Sequence, residues 1–555
     1  MGIRTNRITK LAVAFFVLWS LLAGRLVYLQ LAEGAKLTVL GISGRIQEVQ
    51  VEVARGEILD RNGAPLTNTA QHFSVVVFPS QIEDVRKAAS ELAELTGLKE
   101  SKISQRFGGD LRPFKLKTDI DAVTAQKINS RGLPGVMAVA EKVRYGYSSL
   151  AAHVVGYINA ADNKGVSGIE GLYDDILRGS QATYLAAMVD AGQQIIPGLG
   201  YKRLRLAGGT GPSNIVLTLD SRIQKIVEAV LDQQVARGAV VILRPSTGEV
   251  LAMASRPNFD GNNLGDYLVR NSAPLLNRAL AAYQPGSVFK LAVAAAALEE
   301  KVVRPEDEFY DRGYIDVNGL RIKGWDYELG PRGRLTFKDA MAYSSNPVFI
   351  QVGLKLGADR LISYAHKFGF GQKTRLNFDG EADGNLPAPD SLYPGDLANL
   401  SIGQGVLEAT PLQVAGMVAT IVNDGVKVDP YLVSRLTTQE GVVVKNFPAS
   451  RGIRVMSKQT ALTMRDMMKA VTEYGTGQAA FVEGGGSAGK TGSAETGRQG
   501  SAGKGINHAW FAGYAPLDNP QYVVVVLVED GMSGGDVAAP IFHDIVAKML
   551  ADDDQ

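Results

Sequence analysis

One stretch near the start of the chain cannot dissolve in water. Leu11 to Ala32 is 22 residues long and carries a single charge, Arg25. A helix of that length spans roughly 30 Å, the thickness of a bilayer's hydrocarbon. Arg4, Arg7 and Lys10 precede it. Such a basic flank predicts a cytoplasmic N-terminus, with all that follows exported. Arg25 lies toward the far end, where its stem can snorkel to the interface. No A-x-A site follows the apolar run at signal-peptide distance, so the expectation is an uncleaved anchor. Residues 1–10 are then a cytoplasmic tail and 11–32 a membrane anchor.

The remaining length suffices for two domains with their own cores. Net charge is +1, so no overall field points to nucleic acid or to acidic partners. There are no Cys, which excludes disulfides and thiolate zinc sites. Five scattered His form no HExxH-like cluster, so neither a metal nor another cofactor is expected.

From residue 35 to about 210, short strand-like runs alternate with turns. Ala54–Thr69 reads as a strand followed by an Arg-Asn-Gly turn. Asp84–Leu95 and Ala122–Asn129 read as helices. Gly-rich LAGGTGPSN (Leu206–Asn214) suits a boundary. The second domain, 213–551, starts with a strand (Asn214–Leu219) and a helix (Ile223–Val235). A hairpin follows at Gly238–Ser255. Two more strands come only near the end, His508–Pro516 and Gln521–Asp530, before a closing helix, Ile541–Leu550. A mostly helical block, Ser287–Met468, lies between. Strands at both ends with helices between predict an α+β domain: one sheet assembled from distant segments and flanked by helices.

Inside that block, SVFKLAVAAAALEE (Ser287–Glu300) is a helix apolar on every face, yet Lys290 stands in its first turn. Burial disfavours its charge, and so does the positive end of the helix dipole. A structural ion pair is the plain explanation. The functional one is that a lysine stripped of its proton is a base, three residues from a serine that it can deprotonate. S-x-x-K also occurs at Ser487–Lys490 and Ser501–Lys504, both in Gly-rich sequence, so the pattern alone is weak.

Ser344-Ser345-Asn346 precedes Pro347 and reads as a loop between helices. One of these residues is expected as an ordinary N-cap; the other reading turns Ser344 and Asn346 into a cleft. EGGGSAGKTGSAETG (Glu483–Gly497) carries three overlapping patterns. The phosphate-binding loop and the nucleophile elbow both need a helix next, which GSAETGRQGSAGKG cannot form. Gly531–Gly535 fits the elbow pattern too. Lys490-Thr491-Gly492 needs only an extended strand, with Lys490 and Thr491 facing a cleft and Gly492 leaving room for a substrate backbone.

S-x-x-K, S-x-N and K-T-G in this order resemble the penicillin-binding proteins and serine β-lactamases. The anchor followed by RGEILDRNG, the segment Ala151–Gly179, LTLDSRIQ, GEVLAMAS, GQGVLEATPLQVA and HAWFAGYAP extend the likeness to class B penicillin-binding proteins over nearly the whole chain. Class A members would carry E-D-x-x-F in a glycosyltransferase domain. Glu306-Asp307-Glu308-Phe309 falls one residue short of it, inside the second domain. The resemblance implies an elongated, non-catalytic, dimerisation-like pedestal over 35–210 and a transpeptidase domain with an antiparallel sheet and a helical subdomain. It makes Ser287 the acylated nucleophile, Lys290 its base and Ser344 the proton relay. Asn346 would hold the substrate amide, and Lys490 and Thr491 the terminal carboxylate. The N–H groups of Ser287 and Ser493 would form the oxyanion hole, and Lys490 would help keep Lys290 neutral.

The implied function is a membrane-anchored, extracytoplasmic D,D-transpeptidase. It would cross-link peptidoglycan stem peptides ending in D-Ala-D-Ala, be acylated by β-lactams, and contact a membrane-embedded SEDS glycosyltransferase of the RodA/FtsW type. A β-lactamase or D,D-carboxypeptidase of the same superfamily is the first alternative. No E-x-x-L-N segment, used by class A lactamases to activate water, lies between the second and third motifs. A cell-wall scaffold with secondary catalysis is the second alternative.

Overall fold

A computed structural model describes residues 2–34, 46–146, 149–159, 162–190, 192–196, 200–205, 211–499 and 505–553. Ser501–Lys504 lies outside them, as does the Leu206–Thr210 part of the expected boundary.

Helix α1 (Gly2–Val27) runs on as a π-helical turn over Tyr28–Ala32. Ile8–Ala32 is long and apolar enough to cross a membrane, with a mean hydropathy of 1.9.

Two compact units follow from the packing. The first is Met1–Ala54, Gln71–Lys142 and Ser180–Thr210. In it, strands Ala70–Val77, Phe114–Ile120 and Val136–Val143 form a sheet. Helices Val85–Thr96 and Ala122–Arg131 contribute Ala88, Leu92, Ala125 and Ile128 to its core. Asp84 and Asp121 cap these helices, accepting from the N–H groups of Lys87 and Thr124.

The second unit takes Gly211–Gln555 and also Arg55–Ala70 and Val143–Gly179. A linear boundary near residue 210 therefore does not describe the packing. Ile58–Leu59 pairs in parallel with Asn214–Leu217. A buried ion cluster holds the rest: Arg55 meets Glu170 at 2.6 Å and Asp174 at 2.7 Å, and Arg144 meets Glu170 at 2.6 Å. Each charge in it is matched by another, as burial requires.

The centre of this unit is a five-stranded antiparallel sheet. Its strands are β1 (Gly238–Leu243), β2 (Val250–Arg256), β3 (Ala488–Gln499), β4 (Gly505–Ala515) and β5 (Tyr522–Val528), in the order β2-β1-β5-β4-β3. The run YVVVVLV of β5 is apolar throughout because helices cover both faces. Val524 and Val526 point to helices α2 (Ser221–Gln234) and α7 (Ala539–Asp553), among Val227, Leu231, Phe542 and Ile545. Val523, Val525 and Leu527 point the other way. That face meets α5 (Pro411–Val422) and α6 (Lys458–Glu473); α3 (Lys290–Glu299) packs on α6, and α4 (Asn346–Leu356) on α3.

The block expected as mostly helical is interrupted. Glu308–Asp311, Tyr314–Val317, Leu320–Lys323 and Gly333–Thr336 are strands. Tyr314–Val317 and Leu320–Lys323 form a hairpin whose turn residues, Asn318 and Gly319, have φ of 48° and 84°. Asn-Gly favours such a turn because its two residues tolerate positive φ.

Candidate active site

Three segments from distant parts of the chain converge beside α3 and β3. The first is a 3-10 turn, Gly286–Phe289, leading into α3. Ser287 is thus on a tight turn and not within the α-helix as expected. In a 3-10 turn residues i and i+3 eclipse, which keeps Ser287 and Lys290 on one side. Val288 and Phe289 are buried and fix the turn. The N–H of Gly286 donates to the carbonyl of Gly403 at 3.0 Å.

The second segment joins Phe337–Ala342 to α4. Ser345 takes the ordinary N-cap role, its Oγ accepting from the Val348 N–H at 3.3 Å. Its hydroxyl donates to Asp311 Oδ2 at 2.5 Å. Ser344 and Asn346 are left free for another task. Ser344 is buried at φ 58°, a left-handed conformation that costs a serine roughly 1–3 kcal/mol and persists where its surroundings impose it.

The third segment is β3, at the edge of the sheet. Here K-T-G is extended, as expected, which excludes a phosphate-binding loop or nucleophile elbow at this position. Adjacent residues of a strand face opposite ways. Thr491 lines the cleft, its Oγ1 2.6 Å from Thr476 Oγ1, but Lys490 does not share that wall. Lys490 is fully buried, and its Nζ donates to Ser344 Oγ at 2.8 Å and to the Thr491 carbonyl at 3.2 Å. Gly492 leaves no room for a side chain: a Cβ there would lie 2.9 Å from Val288 Cγ2 and 3.0 Å from the Pro285 carbonyl.

Lys290 is also fully buried. Its Nζ donates to the Ser344 carbonyl at 2.8 Å, to Asn346 Oδ1 at 2.6 Å and to Ser344 Oγ at 3.3 Å. The Phe349 ring centre is 5.4 Å away. Burial drives its pKa well below the ordinary lysine value, and the charge of Lys490 pushes the same way. Asp326 and Asp311 pull against them. Burial alone brings Lys490 down to about 7. The Ser344 hydroxyl thus stands between two amines, each of which gives up its proton more easily than a solvated lysine.

Ser287 lines a cleft of about 900 Å³ together with Ser344, Asn346, Thr491, Gly492 and Ser493. Among the described residues Ser287 Oγ takes part in no hydrogen bond. Ser493 Oγ accepts from the Gly534 N–H at 3.1 Å. Asn346 Nδ2 reaches the Lys323 carbonyl at 3.4 Å.

Sequence reasoning did not foresee Asp311, Asp326, Thr476 or the hairpin that supplies Arg321, Lys323 and, just after it, Trp325 to the cleft wall. The Asn-Gly pair could have revealed the hairpin. The two aspartates carry no local signal, since their roles depend on packing across the chain.

The penicillin-binding protein transpeptidase domain matches residues 238–547, and the penicillin-binding protein dimerisation domain matches 50–197. Stage V sporulation protein D of Bacillus subtilis is 34% identical over 95% of this chain and 82% of its own length. The peptidoglycan D,D-transpeptidase MrdA of Haemophilus influenzae is 30% identical over 90% and 85%. A crystal structure of the D,D-transpeptidase domain of a peptidoglycan glycosyltransferase from Eggerthella lenta aligns with a TM-score of 0.65 and 26% identity, covering 90% of this chain and 98% of that one. With both domains matched and its three motifs gathered at one cleft, the chain belongs to the class B penicillin-binding proteins.

Proposed function

We propose that this protein is a membrane-anchored serine D,D-transpeptidase that cross-links peptidoglycan stem peptides ending in D-Ala-D-Ala and is acylated by β-lactams at the same serine. One observation carries the reading: two buried lysines meet at Ser344 Oγ beside the cleft that Ser287 lines.

Neutral Lys290 takes the Ser287 proton, directly or through Ser344 Oγ, as Ser287 Oγ attacks the penultimate D-Ala carbonyl. The N–H groups of Ser287 and Ser493 hold the oxyanion. The Ser344 hydroxyl protonates the leaving D-Ala amine and is reprotonated by a lysine behind it. An amine of a neighbouring stem peptide then attacks the acyl-enzyme, and Ser287 recovers its proton. Thr491 receives the substrate carboxylate at the cleft wall, and Lys490 acts from behind Ser344. Asn346 Nδ2 is the group that remains for the substrate amide, since its Oδ1 already accepts from Lys290.

Mapping the adduct tests this. After incubation with benzylpenicillin and digestion, the penicilloyl group is expected on the peptide holding Ser287; an adduct on another residue, or none, defeats the assignment. Replacing Lys490 by Met removes the cation that repels the Lys290 proton. The Lys290 pKa then rises, and the acid limb of the acylation rate against pH moves to higher pH. A limb that stays put would mean that Lys490 exerts no such field.

Residues 1–10 form the cytoplasmic tail and 11–32 the anchor; Gln71–Lys142 and Ser180–Thr210 belong to the pedestal, and Gly211–Gln555, with Arg55–Ala70 and Val143–Gly179 packed in the same unit, to the extracytoplasmic catalytic domain. The apolar helix and the basic residues before it support this topology. A SEDS glycosyltransferase in the same membrane is the expected partner, and co-purification with it from detergent extracts is the check.

A further inference from the structure

The segment Ser344–Asn346 carries strain without a glycine to relieve it. Ser344 is left-handed, yet both it and Asn346 present atoms to Lys290 within hydrogen-bond distance. Something must hold the residue between them. Ser345 is held from three sides: its N–H donates to the Ala340 carbonyl at 2.9 Å, its Oγ accepts from Val348, and its hydroxyl donates to Asp311. Asp311 is 1% exposed and ends the strand Glu308–Asp311. Its other oxygen accepts from the Gly313 N–H at 2.7 Å. Among the described residues it makes no ion pair. A buried carboxylate kept without a cationic partner is costly, and the residue it grips most closely is Ser345.

We propose that Asp311 is a positioning residue for acylation: through Ser345 its carboxylate holds Ser344 and Asn346 against the Lys290 amine. The inference rests on the transpeptidase reading above, and it adds a residue outside the three motifs. Asp311 does not line the cleft and acts through the loop. Its charge acts on the same lysine. The charged groups that bear on Lys290 are Lys490, which opposes its protonation, and Asp326 and Asp311, which favour it. Arg332 already pairs with Asp326 at 2.5 Å, whereas among the described residues no cation pairs with Asp311 in this way.

The test measures the rate constant of penicillin acylation against pH for Asp311→Asn, Asp311→Ala, Ser345→Ala and the double Ala variant of the full-length protein. Asp311→Asn keeps an oxygen for Ser345 and discards the charge. Its acid limb is expected at lower pH, because the Lys290 proton is then held less strongly. Loss of a merely structural contact would leave that limb in place. Asp311→Ala and Ser345→Ala are each expected to lose about tenfold or more in maximal rate, the usual consequence of misplacing a reacting group. The double variant should be no slower than the slower single one, since both remove the same clamp. Losses that multiply, or an Asp311→Asn profile matching wild type in rate and limb, would overturn the proposal. Thermal melts check folding; if Asp311→Ala does not fold, Ser345→Ala and Asp311→Asn carry the test. An adduct mapped away from Ser287 would sink the transpeptidase reading itself. Acylation at Ser287 with unaltered variants would sink only the inference about Asp311.

Discussion

Replacing Lys290 by Met is expected to slow penicillin acylation by about 10²–10⁴-fold, the usual worth of a positioned general base, while the protein stays folded. The two side chains are similar in length, and the Phe349 ring beside the amine offers an apolar contact to either. Two terms act on stability. The Ser344 carbonyl and Asn346 Oδ1 lose a donor, at about 1–3 kcal/mol for each acceptor left unpaired. Against that, a polar amine no longer has to be kept out of water, a relief of roughly 2–7 kcal/mol for an uncharged group. The terms are of similar size and opposite sign, so the melting temperature should change little. Lys290→Arg separates base from charge. It keeps a cation but cannot give up the proton at accessible pH. If the role is basic, Lys290→Arg must be as slow as Lys290→Met. An Arg variant acylating within about tenfold of wild type would mean that the residue serves as a fixed charge, and the mechanism would need another base.

What made Lys290 legible was conflict between levels. A lysine in the first turn of an all-apolar helix disagrees with its surroundings, and such disagreements mark functional sites. K-T-G was legible by exclusion, because the sequence after it cannot be helical. The sheet was legible because YVVVVLV and GAVVIL bury both faces. Other features were readable and missed. Strand alternation forbids Lys490 and Thr491 from sharing a wall, so the buried position of Lys490 behind Ser344 follows from placing it on a strand at all. DVNGLR carries the strongest short hairpin signal, yet it sat inside an expected helical block. Asp311, Asp326 and the return of Arg55–Ala70 to the catalytic unit are of another kind. Each depends on partners more than thirty residues away or on shared burial, and no local period records that. The role of Ser345 is intermediate: as an N-cap before Pro347 it was expected, but its grip on Asp311 was not.

Adding one methyl group at Gly403 is expected to cost about 100-fold or more in acylation, although residue 403 need not touch substrate. A Cβ at this position would lie 1.9 Å from the Gly286 carbonyl oxygen and 2.6 Å from its carbon. Those are backbone atoms, so no side-chain rotation relieves the clash. Gly403 also has φ 74°, where an alanine pays roughly 1–2 kcal/mol in strain. Either the Gly286 carbonyl moves, carrying Ser287 with it, or the loop at Gly403 swings out and takes Ile402 and Gln404 from the cleft wall. A displacement of about 1 Å at a reacting group is enough for a hundredfold loss. Gly405 supplies the control. Its φ is 79°, but the nearest atom to an added Cβ is Asn399 Cβ at 3.5 Å, an ordinary contact. Gly405→Ala therefore carries the strain without the clash, and should lower the melting temperature while acylating close to the wild-type rate. If Gly403→Ala acylates as fast as Gly405→Ala, the Ser287 turn can yield without consequence. The close approach of these two backbones would then not be what aims the nucleophile.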